Sequence, residues 1–161
     1  GVPLAERDGP TRDALARLEG QIDTAAARAA WDEALRVPHR AGPPVWAHGD
    51  ISPGNVLVAG GRLAAVIDFG CVGVGDPAVD LIVAWNLLPA SARGVFRDAV
   101  GADDAEWARG RGWALSISLI QLPYYRQTNP PLAANSRHAI SEILAETRSA
   151  DAGASGGYAP S

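Results

Sequence analysis

His48-Gly49-Asp50-Ile51-Ser52-Pro53-Gly54-Asn55, then Ile67-Asp68-Phe69-Gly70, then Gly75-Asp76-Pro77-Ala78-Val79-Asp80-Leu81 follow one another in the run from Trp46 to Leu81. Asn55 lies five residues past Asp50. The apolar runs Val56-Leu57-Val58 and Leu63-Ala64-Ala65-Val66-Ile67 are separated by Ala59-Gly60-Gly61-Arg62. A Gly-Gly pair between two such runs is a hairpin signal. The hairpin would return the chain so that Asp68 ends close to Asn55, which gathers one candidate base and two candidate metal ligands on loops at one end of a β-hairpin.

Phosphoryl transfer asks little covalent chemistry of a protein. It does need a group to receive the acceptor hydroxyl's proton and oxygen ligands that hold Mg²⁺ against the phosphates. Asp50, Asn55 and Asp68 fit those jobs. Protein kinases carry His-Arg-Asp with an Asn five residues past the Asp, followed by an Asp-Phe-Gly whose Asp binds metal, and the interval from Asp50 to Asn55 repeats that spacing.

On these residues the chain resembles the aminoglycoside phosphotransferase family of kinase-like small-molecule kinases. The resemblance implies an α+β, mainly helical fold: the C-terminal lobe of a protein-kinase-like enzyme, with a catalytic loop and a short β-hairpin. It implies Asp50 as catalytic base, Asn55 and Asp68 as Mg²⁺ ligands, and Ser52 near the transferred phosphate, so that Ser52, Asn55 and Asp68 would meet the cofactors ATP and Mg²⁺.

Two departures separate the chain from protein kinases. Gly49 stands where an Arg would pair with a phosphorylated activation loop, and only Cys71 to Gly75 lie between Asp-Phe-Gly and the next helix start. So short a loop offers no peptide-docking platform and no phosphosite switch. The expected partner is a small-molecule hydroxyl substrate.

Each signature has a plainer reading by itself. His-Gly-Asp is an ordinary surface turn, Asp-Phe-Gly recurs in many folds, and Asp-Pro is a helix start, which is the role expected of Asp76. Their joint occurrence favours function for Asp50, Asn55 and Asp68. For His48 the structural role is preferred, a ring packed behind the loop.

The length of 161 residues allows one domain that buries roughly 70% of the unfolded chain's surface. Hydrophobic residues make up 47% and charged residues 20%, as in ordinary globular proteins. Fourteen basic against 18 acidic residues give a net charge of −4, which argues against a nucleic-acid surface. Cys71 is the single cysteine, so no intrachain disulfide forms and a reducing, cytoplasmic setting is expected. Beside a metal loop Cys71 reads as a small residue rather than a nucleophile. No apolar run reaches the roughly 18 to 20 residues of a membrane span, and Trp113 to Leu122, bounded by Arg111 and Pro123, reads as a buried core helix.

The chain has no methionine, and all 14 basic side chains are arginine. A kinase-like site also uses a strand lysine and a Gly-rich loop over the nucleotide phosphates, and neither is in the sequence. The expectation is therefore a C-terminal lobe from a longer enzyme, inactive by itself, with residues 1–10 as the linker from a missing N-terminal lobe, 11–148 as the lobe and 149–161 as a flexible tail. Self-association through the uncovered face is expected as well.

Periodicity gives helices over Thr11 to Ile22 and Thr24 to Arg36, a break from Pro38 to Pro44, and a short extended piece at Val45-Trp46-Ala47. Asp76-Pro77 opens a helix, with the carboxylate as cap and proline at the first helical position. That helix, apolar nearly all round to Leu88, reads as central and buried. Asp80 within it must then find donors, and the backbone of the catalytic loop is the expected source. Ser91 to Val100 forms a helix closed by Gly101, and Asp103 with Glu106 reads as a capping box for a helix to about Leu122. Contact of the Asp103-Asp104-Glu106 cluster with an amine-bearing substrate is the alternative. Asn129-Pro130 starts a last helix to about Thr147.

The leading function is ATP- and Mg²⁺-dependent transfer of a γ-phosphoryl group to a small-molecule hydroxyl by the full protein. A non-catalytic ligand-binding lobe is the alternative. A two-metal phosphate-ester hydrolase is the weakest rival, because His39 and His138 lie away from Asp50 and Asp68 in the pattern.

Overall fold

The computed structural model describes residues 2–155. Six α-helices and two small antiparallel pairs of strands are described, so the fold is mainly helical. The helices are α1 (Asp8–Arg17), α2 (Thr24–Arg36), α3 (Val83–Asn86), α4 (Ala90–Val100), α5 (Asp104–Tyr125) and α6 (Pro130–Ser155). The strands are β1 (Val45–Ala47), β2 (Val56–Ala59), β3 (Arg62–Val66) and β4 (Gly73–Gly75).

The residues expected as a linker are part of the packed fold. Leu4–Arg7 forms a 3₁₀ turn that runs into α1, and Leu4 is buried. Arg7 Nε donates to Ser116 Oγ at 2.8 Å, and the Thr11 and Ser116 hydroxyls share a hydrogen bond of 2.7 Å. Pro10 is tolerated because it sits in the first turn, where N–H groups have no intrahelical partner. Asp23 caps α2 by accepting from Ala26 N at 3.0 Å. α2 keeps the bounds that the periodicity gives, whereas α1 starts earlier and ends sooner than the expected Thr11 to Ile22.

α5 is the central helix, touching α1, α2, α6 and the 3₁₀ segment Pro77–Ile82. Its buried Trp113, Leu115, Leu119 and Leu122 join Leu15, Leu18, Trp31, Trp85, Ile140 and Ile143 in one core. The approach is close at Gly110, where an added Cβ would lie 2.6 Å from Leu81 Cβ. Asp103 caps α5, accepting from Glu106 N at 2.6 Å, and Asp104 pairs with Arg97. Gly101 closes α4 in the left-handed region at φ 68°.

The segment after Asp76 is buried as expected but wound differently: Pro77–Ile82 is 3₁₀ and only Val83–Asn86 is α-helical. Val79, Ile82 and Val83 are β-branched, which weakens α-helix, and Leu88 precedes Pro89, a position turned away from helix. α6 runs on past Thr147, so the chain expected as tail from Ser149 is helical to Ser155, in keeping with the high helix propensity of its alanines. Residues 156–161 of that expected tail lie outside the described residues.

β2 and β3 pair as the hairpin, with Val56 opposite Val66 and Ala59 opposite Arg62. Gly60 and Gly61 both have positive φ, 58° and 74°, the pair of conformations a tight two-residue hairpin requires. β1 pairs with β4, Trp46 facing Val74. No helix of the described residues is long and apolar enough to cross a membrane.

Candidate active site

The chain leaves β1 at Ala47 and turns sharply through His48, Gly49 and Asp50. Gly49 sits at φ 82°, and a Cβ there would lie 2.6 Å from the Cys71 carbonyl oxygen. Only glycine meets both conditions. The loop is held from below by Asp80, whose Oδ2 accepts from His48 N and whose Oδ1 accepts from Gly49 N, each at 2.7 Å. The pairing expected of this carboxylate, with the backbone of the His48-Gly49-Asp50 loop, is thus observed.

His48 is buried behind the loop, its ring 4.7 Å from that of Phe69. Nε2 lies 3.0 Å from the Ile67 carbonyl, and Nδ1 accepts from Asp50 N at 3.3 Å. The carbonyl can only accept, so the proton belongs on Nε2. His48 therefore joins the loop to the strand end that carries Asp68.

Asn55 closes the 3₁₀ turn Pro53–Asn55. Its Nδ2 donates to Asp50 O at 2.8 Å and to Asp50 Oδ2 at 3.2 Å. Ile67 N donates to Asn55 O at 2.9 Å, so the hairpin returns the chain to Asn55 as its spacing predicts. Asp68 follows at φ 62°, the one positive-φ residue other than glycine among those described. Such a conformation is uncommon and costly outside glycine, and it clusters at functional positions. Asp68 is exposed and accepts from Gly70 N at 3.4 Å. Ser52 is half-buried at the start of the same turn.

Asp50 is half-buried, and its carboxyl is pushed above the usual aspartate range, first by desolvation and then by the charge of Asp68. The hydrogen bond from Asn55 and the proximity of His48 act in the opposite direction. The charge of Asp68 adds to the cost of ionising Asp50, and an opposite charge placed beside such a carboxylate favours its ionised form.

Asp50, Asn55 and Asp68 are thus on one surface. Asn55 turns its amide nitrogen to Asp50, which directs its Oδ1 elsewhere, and Asp68 offers an exposed carboxylate. That donor set suits Mg²⁺, which typically takes one or two protein oxygens and completes its shell with phosphates and water. The residue geometry needs no larger cluster, and no group of three or more His, Cys, Asp or Glu side chains converges among the described residues.

Three supporting residues were not read from the sequence. Arg109 is buried and donates to Asp76 Oδ2 at 2.6 Å and to the Pro38 carbonyl at 3.1 Å. Asp76 also caps its own turn at Ala78 N, 3.0 Å away. Asn86 Nδ2 donates to the Ile51 carbonyl at 2.9 Å, and Asn135 Nδ2 donates to the Asn86 carbonyl at 2.6 Å. Arginine and asparagine on helices carry no local signal for such contacts; only the tertiary fold creates them.

The model of the phosphotransferase enzyme family matches residues 3–113. The chain belongs to the phosphotransferase enzyme family. It is similar to an aminoglycoside 3'-phosphotransferase of Escherichia coli, 40% identical over 58 residues that make up 36% of this chain and 21% of that protein. It is also similar to a solved thermostable mutant of aminoglycoside phosphotransferase APH(4)-Ia in ternary complex with AMP-PNP and hygromycin B. There the TM-score is 0.49 at 27% identity, over 76% of this chain and 44% of that one. An apo form of a thermostable mutant of the same enzyme gives a TM-score of 0.49 at 26% identity, over 78% and 46%. The chain spans less than half the length of these relatives.

Proposed function

We propose that the protein containing this chain transfers the γ-phosphoryl group of ATP to a hydroxyl of a small molecule, and that this chain is its kinase-like lobe, with the catalytic base and the Mg²⁺ ligands. The single observation that carries the reading is the hydrogen-bonded pair Asp50 and Asn55, with Asp68 brought to the same surface by the hairpin. Membership of the phosphotransferase enzyme family supports it.

In this reading Asp50 is the base. Its raised proton affinity suits it to receive the acceptor hydroxyl's proton, since a base works best when its pKa approaches the working pH. Asn55 fixes the Asp50 carboxylate and backbone at once, and Asp80 fixes the turn before it. Asn55 Oδ1 and Asp68 would hold Mg²⁺, which when bound supplies charge stabilisation to the transferring phosphoryl oxygens. Ser52, at the start of the turn, would stand near the transferred phosphate.

The test is Asp68→Ala in the full-length protein, with ATP turnover measured across a Mg²⁺ titration. Loss of an anionic oxygen from the metal site should weaken the Mg²⁺ response and depress turnover at every metal concentration, while the melting temperature stays near that of the parent. An unchanged Mg²⁺ profile would remove Asp68 from the metal site.

A further inference from the structure

Beside the catalytic loop a cleft of about 330 Å³ opens between Ser52-Pro53-Gly54 and the start of α6, where Asn129, Pro131, Leu132 and Asn135 face it. Ligand clefts commonly run from roughly 300 to 1,000 Å³, so this one suits a compact molecule. A smaller recess of about 20 Å³ shares Ser52, Leu132 and Asn135 with the cleft and is lined in addition by Asp50, Asn86, Ser118 and Gln121. The two share the wall formed by Ser52, Leu132 and Asn135, and the candidate base lines the smaller recess beyond it.

The polar groups that line the cleft and the recess are neutral apart from Asp50 in the recess. Asn86 is the informative one. The Ile51 carbonyl can only accept, so the amide nitrogen of Asn86 must face it at the observed 2.9 Å. Asn86 Oδ1 is thereby turned away from the loop, buried and without a hydrogen-bond partner among the described residues. A buried acceptor of this kind calls for a donor from a ligand or a water. Hydroxyls both donate and accept, as carboxamides and serines do, whereas an ammonium stripped of water needs a carboxylate in return. Pro53, Pro131 and Leu132 supply apolar surface for the carbon skeleton of such a molecule.

We propose that this cleft takes a compact, uncharged, hydroxyl-bearing molecule as the phosphoryl acceptor, selected by the carboxamides of Asn129 and Asn135 in the cleft and of Asn86 in the recess beside it rather than by acidic side chains. The proposal rests on the reading of Asp50 as the base. It goes further in naming the acceptor's class and the residues that choose it.

The test is a titration of the 161-residue chain with matched pairs of small molecules, an uncharged hexose or cyclitol against its amino-substituted counterpart, followed by side-chain amide NMR. The Asn86, Asn129 and Asn135 amide signals should move with the uncharged member. That member should bind more tightly by roughly fivefold or more, the worth of one ordinary hydrogen bond. Asn129→Asp keeps the oxygen that caps Leu132 N while adding charge at the rim, and it should shift the preference toward the amino-substituted member. Tighter binding of the amino-substituted member by the unaltered chain overturns the proposal, and so does the absence of amide shifts with either member. Binding is read here without phosphate transfer, so a protein that binds the uncharged member but shows no turnover would count against the phosphotransfer reading and not against the acceptor class.

Discussion

Between Val45 and Gly75 only Ala47 and His48 are buried, whereas the next ten residues, Asp76 to Trp85, include seven buried ones. The first region carries Asp50, Asn55 and Asp68; the second is core. Large apolar side chains stand open in the first, with Trp46 at 74% and Val58 and Leu63 each at 66% exposure. The site layer is therefore not held by its own apolar burial. Polar attachments hold it instead: from the core segment, Asp80 to the backbone of His48 and Gly49 and Asn86 to Ile51, and, within the layer itself, His48 to Ile67. Such a division lets the core set global stability while a few directional bonds set the positions of the candidate site residues.

The comparison is broken or sharpened by variants in the two regions. Leu119→Ala in the core removes a fully buried side chain and should cost about 2–5 kcal/mol, seen as a large drop in denaturant midpoint. Asp80→Ala leaves two loop N–H groups without their carboxylate and should cost roughly 2–4 kcal/mol, toward the lower part of about 1–3 for each unsatisfied group because water can reach the half-buried Gly49. Its loss should also appear as faster hydrogen exchange at His48 and Gly49. If exchange there is unchanged, the carboxylate does not hold the loop. At the smallest end, Leu63→Gln on the hairpin should change stability by less than about 0.5 kcal/mol, as exposed substitutions generally do. A drop as large as that of Leu119→Ala would show that the hairpin's apolar side chains are stabilising after all.

The arrangement of the candidate site was legible because it is local. The Asp50 to Asn55 interval, the Gly60-Gly61 turn and Asp68 lie within nineteen residues, and hairpin geometry alone brings the ends together. Asp80 was legible by necessity, since a carboxylate in an apolar run must find donors. What stayed hidden depends on distant elements. Arg109 reaches Asp76 from α5, and Asn135 reaches Asn86 from α6; neither has a pattern that points to its partner. The packing of the opening segment was hidden because its one core side chain, Leu4, sits among polar neighbours, and only contact with α5 reveals its burial. The 3₁₀ winding after Asp76 was hidden too, since 3₁₀ and α-helix share similar apolar spacing over a single turn.

The pH dependence of single-turnover phosphotransfer by the full-length protein, compared with that of Asp50→Asn, tests the central assignment most directly. A base must be ionised to accept a proton, so the rate should fall as pH drops through the Asp50 pKa. Because burial and Asp68 raise that pKa, the acid limb should lie above the ordinary aspartate value of about 3.9. In Asp50→Asn the limb should vanish and the rate should fall by about 10²- to 10⁴-fold, with nucleotide binding kept. A variant that turns over at the parent rate with the acid limb intact would contradict the assignment of Asp50 as the base.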